Sequence, residues 1–179
     1  MKISLTGIKP TGNIHIGNYF GAIKPALALT ESYFGLYFVA DLHALNSNPS
    51  PKELQQLIYE VAASWISFGL DTEKAIFFRQ SDIHEIPELT TILSAVTPKG
   101  LMNRAHAYKA ILDKNQEANH DPDYGVNMGL YTYPILMAAD ILLYNSDVVP
   151  VGMDQKQHVE ITRDIADNLN RIYGKTLKV

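Results

Sequence analysis

The spacing of apolar residues changes character several times along the chain. A short apolar run at residues 3–5 reads as a first strand. From residue 16 to residue 29 the apolar positions recur at helical spacing, with Lys24-Pro25 predicted to kink the helix. Residues 33–40, Tyr33-Phe34-Gly35-Leu36-Tyr37-Phe38-Val39-Ala40, are continuously aromatic or aliphatic, the signature of a buried parallel strand. That run stops at Asp41-Leu42-His43. Polar residues at the carboxyl end of a buried strand stand where open α/β sheets bind ligands. Ser50 as N-cap, Pro51 at the first helical position and Glu53 as a capping-box acid then open a helix. Its apolar residues Leu54, Leu57, Ile58, Val61, Ala62, Trp65 and Phe68 keep one face, and Gly69 ends it. Trp65 is expected in the core.

A third strand is predicted at residues 75–78, followed by a helix over 83–96 capped by Ser81-Asp82. A helix near 101–111 precedes a polar segment, 113–123, read as a mobile surface loop. A short helix over 133–144, a strand over 146–151 and an amphipathic helix over 154–173, closed by Gly174, complete the pattern. Strands and helices alternate throughout, which predicts an α/β fold with a mainly parallel sheet covered by helices on both faces. No repeat or clear boundary divides the chain, so residues 1–179 are expected to form one domain with a helical and loop insertion at about 98–128.

Composition narrows the class. The 179 residues suffice for a real core, and 46% hydrophobic with 19% charged content is ordinary for a globular chain. The absence of cysteine excludes disulfides, Cys-based zinc sites and thiol catalysis. No apolar run has the length of a membrane span and the start lacks a secretory pattern, so no membrane association and a cytoplasmic location are expected. The net charge of -4 argues against a general nucleic-acid coat but is compatible with a local basic patch that meets one RNA.

Three stretches carry candidate chemistry. In Leu5-Thr6-Gly7-Ile8-Lys9-Pro10-Thr11-Gly12-Asn13-Ile14-His15-Ile16-Gly17-Asn18 a strand, a glycine-punctuated loop and a helix start follow one another, an arrangement that offers free N–H groups to an anion. His15 and Asn18 are three apart and can donate to one phosphate. The loop is neither a Walker A sequence nor G-x-G-x-x-G. In residues 131–144, helical spacing places Tyr133, Met137 and Asp140 on one face. Asp140 is a lone carboxylate in an apolar run. A ligand-binding acid and a structural acid that caps a helix or pairs with an arginine are equally compatible with that placement. In Val149-Pro150-Val151-Gly152-Met153-Asp154-Gln155-Lys156-Gln157-His158 the strand–glycine–helix order recurs. Asp154 is suited either to N-capping or to accepting the hydroxyls of a ribose, and Gln155 can both donate and accept.

His15-Ile16-Gly17-Asn18 resembles the HIGH signature of class I aminoacyl-tRNA synthetases. With Tyr133-Pro134, Met137-Ala138-Ala139-Asp140-Ile141-Leu142, Gly152-Met153-Asp154-Gln155-Lys156-Gln157-His158 and Thr162-Arg163-Asp164, the chain resembles the bacterial tryptophanyl-tRNA synthetase family over residues 1 to about 174. The resemblance implies a Rossmann-like (HUP-type) catalytic core and a homodimer. It further implies a ligase of protein biosynthesis that activates L-tryptophan with ATP and Mg²⁺ and charges tRNA(Trp). It implies catalytic roles for His15 and Asn18. Nucleotide contacts are implied at Lys9, Pro10, Thr11, Gly17, Asn18, Gly152, Met153 and Asp154. Tryptophan contacts are implied at Leu5, His43, Tyr133, Met137, Asp140, Val149, Val151 and Gln155, with Asp140 accepting the indole N–H and Tyr133 and Gln155 holding the amino-acid end. No protein-held metal is expected.

Two departures are local: Lys9 stands where many of these enzymes carry Gln, and Met153 where Glu is common. The third is the lack of a KMSKS-like loop and of an anticodon-reading helical domain. The expectation is therefore a truncated catalytic part, with weakened activation and little tRNA recognition. The alternative is a non-catalytic paralogue that binds tryptophan or a nucleotide.

Overall fold

The computed structural model describes every residue except Asn13, Met153 and Asp154. Among the described residues the sheet has three parallel strands in the order β1 (Ile3–Ile8), β2 (Phe34–Val39), β3 (Ala75–Arg79). The central strand β2 is buried from Gly35 to Val39, as its unbroken apolar run predicts. Its side chains divide between two layers. Tyr37 and Val39 join Ile8, Val61 and Trp65 in one core cluster, while Leu36 and Phe38 join Leu5 and Ile141 in another. Helices therefore cover both faces of a parallel sheet, in agreement with the sequence reading.

The first cluster is closed by α2 (Lys24–Leu29) and α4 (Pro51–Ser67). Ser50 caps α4 by accepting the Glu53 N–H, and Pro51 occupies the first turn, so this start was legible in the sequence. Trp65 is fully buried and stacks on Tyr37 with centroids 4.8 Å apart. A third cluster lies among α5 (Glu85–Val96), α8 (Met128–Leu143) and α9 (Lys156–Tyr173).

Several elements differ from expectation, each for a local reason. The helix over 16–29 begins as α1 (Ile16–Asn18), widens into a π turn over Tyr19–Ile23 and continues as α2. Pro25 has no N–H for the Gly21 carbonyl, and the wide turn just before it absorbs that loss. Helix α5 starts at Glu85, because residues Gln80–Asp82 form a 3-10 turn whose Ser81 bonds Asp41 instead of capping the helix. The stretch expected as one helix is split into α6 (Lys99–Met102) and α7 (His106–Glu117).

The segment 113–123, read as a mobile loop, is half helix and half pinned turn. Buried Asn115 donates to the carbonyls of Pro122 (2.8 Å) and Tyr124 (2.9 Å), and Tyr108 donates to Asp123 (2.7 Å). Helix α8 starts at Met128, five residues earlier than expected, because the side chain of Asn127 caps it. The strand expected over 146–151 is reduced to one parallel bridge, Ser4 to Val148. Asp147 ties that segment to β1 by accepting the Ile3 N–H and pairing with Lys178, and Pro150 cannot extend a ladder.

Candidate functional site

Register brings the carboxyl ends of the three strands level, with Ile8 opposite Val39 and Val39 opposite Arg79. The residues that follow them, Lys9, Asp41-Leu42-His43 and Gln80, therefore gather along one edge of the sheet. Helix α8 crosses above this edge, and a cleft of about 530 Å³ opens between them.

Leu5, His43, Tyr133, Met137, Asp140, Val149, Val151 and Gln155 all line this cleft. These are the eight residues that the family resemblance implies for tryptophan, drawn from β1, the turn after β2, helix α8 and the segment before α9. Gly7 lines it too. A Cβ there would run into the ring of Phe38, which also lines the cleft, so a larger residue would push that ring aside.

Asp140 is 2% exposed, and its surroundings explain how a carboxylate survives there. Gln80 donates from Nε2 to both carboxylate oxygens, at 2.8 and 3.0 Å, and His43 Nε2 lies 3.0 Å from Oδ2. Burial pushes the Asp140 pKa up, while the His43 and Gln80 hydrogen bonds pull it down. The arginine or helix cap offered by the structural reading of Asp140 is not what holds it. Gln80 was missed in the sequence. Its signal was the one already used for Asp41–His43, a polar residue at the carboxyl end of a strand.

Tyr133 shares the face of α8 predicted for it. Its hydroxyl lies 2.7 Å from Nε2 of buried His158 on α9, and burial raises its pKa to about 12. The hydroxyl is thus already engaged within the protein.

The nucleotide candidates divide. Lys9 and Gly152 line the cleft, with the Lys9 ammonium 3.4 Å from the Ser47 hydroxyl and its pKa lowered by burial. Pro10 is buried, Thr11 is exposed, and Met153 and Asp154 lie outside the described residues. His15, Gly17 and Asn18 sit beyond the lining, at the start of α1. His15 is the N-cap. Its Nδ1 accepts the Gly17 N–H (3.1 Å), and Asn18 Oδ1 accepts the His15 N–H (3.0 Å). This reciprocal capping box has a chemical consequence. With Nδ1 accepting, the ring proton sits on Nε2, and Asn18 keeps its amide hydrogens, so both side chains retain outward donors. His15 therefore stands at the cap, one residue before the helix.

Residues 2–178 match the sequence profile of the tRNA synthetases class I (W and Y). The chain belongs to that family. It is 56% identical over 172 residues to the tryptophan–tRNA ligase of Pseudomonas aeruginosa, covering 95% of this chain and 38% of that protein. A crystal structure of Campylobacter jejuni tryptophanyl-tRNA synthetase complexed with ADP and tryptophan superposes with a TM-score of 0.86 at 45% identity. It matches 98% of this chain and 53% of that one. The Mycoplasma pneumoniae tryptophanyl-tRNA synthetase gives a TM-score of 0.89 at 39% identity, over 99% of this chain and 51% of its own. The family's Rossmann-like core is the fold seen here, and the chain spans well under half of the Pseudomonas relative's length.

Proposed function

We propose that the cleft binds L-tryptophan and that the chain is the nucleotide- and amino-acid-binding part of a tryptophan–tRNA ligase. The observation that carries this reading is the ionisable acid at the cleft wall: Asp140 is buried, hydrogen-bonded to Gln80 and His43, and lines the largely apolar cleft. Indole offers one N–H donor and no acceptor, so a carboxylate held as an acceptor is its natural partner. A ligand unable to donate would strand the acid and be rejected. Leu5, Met137, Val149 and Val151 supply the apolar walls, and Gln155 reaches the amino-acid end. The Tyr133–His158 pair fixes the Tyr133 hydroxyl in place, and its remaining acceptor capacity faces the ammonium of the amino acid. The complex of the Campylobacter jejuni relative with ADP and tryptophan supports an adenine nucleotide and an amino-acid ligand here.

ATP, entering with Mg²⁺ as its phosphate complex, is assigned to the mouth of the cleft and the start of α1. Lys9 supplies a cation, and His15 Nε2–H and Asn18 Nδ2–H supply donors, a set suited to a polyanion. A tryptophan carboxylate oxygen then attacks the α-phosphorus. The bond to pyrophosphate breaks with its electron pair leaving on pyrophosphate, and a mixed anhydride remains for transfer to tRNA(Trp). No protein nucleophile is required; positioning and charge stabilisation carry the step. We further assign the protein to the cytoplasm and to a homodimer. The assignment is supported by the likeness to the tryptophan–tRNA ligases.

Calorimetry on the chain tests this reading. Saturable tryptophan binding, with tyrosine bound at least tenfold more weakly, is the expected result. Binding of neither amino acid, or equal binding of both, would overturn it.

A further inference from the structure

Gln80 is fully buried, lies behind Asp140 and does not line the cleft. Its amide is nevertheless fixed at both ends. Oε1 accepts the Leu42 N–H at 3.1 Å, and Nε2 donates to both oxygens of Asp140. A flipped amide would set NH₂ against the Leu42 N–H and a carbonyl against a carboxylate, so one orientation is enforced. The backbone that carries Gln80 is fixed as well. Asp41 accepts the Ser81 N–H at 3.0 Å and the Ser81 hydroxyl at 2.6 Å, and Arg79 lies 3.8 Å from the same acid. Three successive residues after β2 thus act on one target. Asp41 clamps Ser81, Leu42 orients Gln80, and His43 meets Asp140 directly.

We infer that Gln80 is the positioning residue of the indole site: locked by Leu42 and by the Asp41–Ser81 clamp, it holds Asp140 as an acceptor aimed into the cleft and so sets preference for a ligand with an N–H. This rests on the tryptophan reading of the cleft. Oδ2 meets two side chains, Gln80 and His43, while Oδ1 meets one among the described residues, which leaves an acceptor position on Oδ1 for a ligand. Gln80 Nε2 can only donate, and with His43 in its Nε2–H tautomer both partners present hydrogen to the carboxylate. Those hydrogen bonds favour the ionised acceptor against the cost of its burial.

The test compares two ligands on one protein: tryptophan, and the analogue in which a benzothiophene sulfur replaces the indole N–H. Wild-type chain should prefer tryptophan. In Gln80→Met, which keeps length but offers neither donor nor acceptor, tryptophan affinity should fall about tenfold or more, the size of a charge-assisted hydrogen bond. Analogue affinity should change less than threefold, and that retained binding also reports a folded protein. Gln80→Glu, which keeps an acceptor for Leu42 but loses the donor, should lose the preference in the same way and stands in if Gln80→Met does not fold. Equal losses for both ligands, or an unchanged preference, would overturn the inference alone. Failure of wild-type chain to bind either ligand would instead overturn the reading of the cleft, and the inference with it.

Discussion

At Asp140 burial and hydrogen bonding act against each other. Burial raises its pKa, and the His43 and Gln80 contacts lower it, with the net shift upward from the ordinary aspartate value. For an acid whose folded pKa is raised, the folded state holds the proton more tightly than the unfolded chain does. The ligand-free fold is therefore penalised as pH rises through the raised pKa, and the penalty is absent below the unfolded value. Tryptophan binding has the opposite sign, because the indole N–H needs the ionised form. Its affinity should fall on acidification, beginning above the pH at which a solvated aspartate would protonate. Asp140→Asn should weaken tryptophan binding by roughly 1.5–3 kcal/mol and abolish that acid limb, with ATP binding unchanged. Calorimetry across pH reads both effects. The residue types at this site were legible from spacing alone for Tyr133, Met137 and Asp140, since three positions on one helical face are a local property. Gln80 was not, because it reaches Asp140 from sixty residues away in sequence and only the alignment of strand ends brings the two together.

Elements formed where the sequence carried caps and period together. Helix α4 has both, and its buried face matches the predicted one at Val61 and Trp65. Trp65 is the chain's single tryptophan and is 0% exposed, stacked on Tyr37 of the central strand. Trp65→Ala should cost about 3–5 kcal/mol in unfolding free energy, measured by denaturant titration, because it leaves a cavity between helix and sheet. A loss below about 1 kcal/mol would mean that the layer repacks freely. Elements went astray where apolar period was absent but tertiary bonds were present. The polar run 113–123 has no hydrophobic face to read, yet Asn115 and Tyr108 bond its turn back onto α7. The segment 146–151 has strand composition, yet Pro150 and the side-chain tie at Asp147 leave it a single bridge.

Across the whole molecule the amino-acid cleft and the proposed donors His15 and Asn18 are separate, while Lys9 lines the cleft. His15 and Asn18 belong to the capping box of α1, outside the lining that contains Asp140. The two functions should therefore separate on substitution. His15→Ala should weaken ATP binding several-fold and leave tryptophan affinity within about twofold, read by calorimetry with each ligand in turn. A matching loss of tryptophan affinity would show that the capping box shapes the cleft itself. The comparisons bear on the same scale, since similarity to the synthetase family extends along residues 2–178 and not only through the motifs.

The sequence by itself determined the parallel α/β class, both layers around β2, the helix face bearing Tyr133, Met137 and Asp140, and the family resemblance. These follow from periods, caps and motifs, which are written within a few neighbouring residues. Only the tertiary structure decided which partners make Asp140 tolerable, that Tyr133 spends its hydroxyl on His158, that His15 is a cap with its proton on Nε2, and that a polar run is pinned. Each of these is a hydrogen bond or a burial contact fixed by three-dimensional approach. Their strength depends on water excluded by elements distant in sequence, and no local pattern records that exclusion.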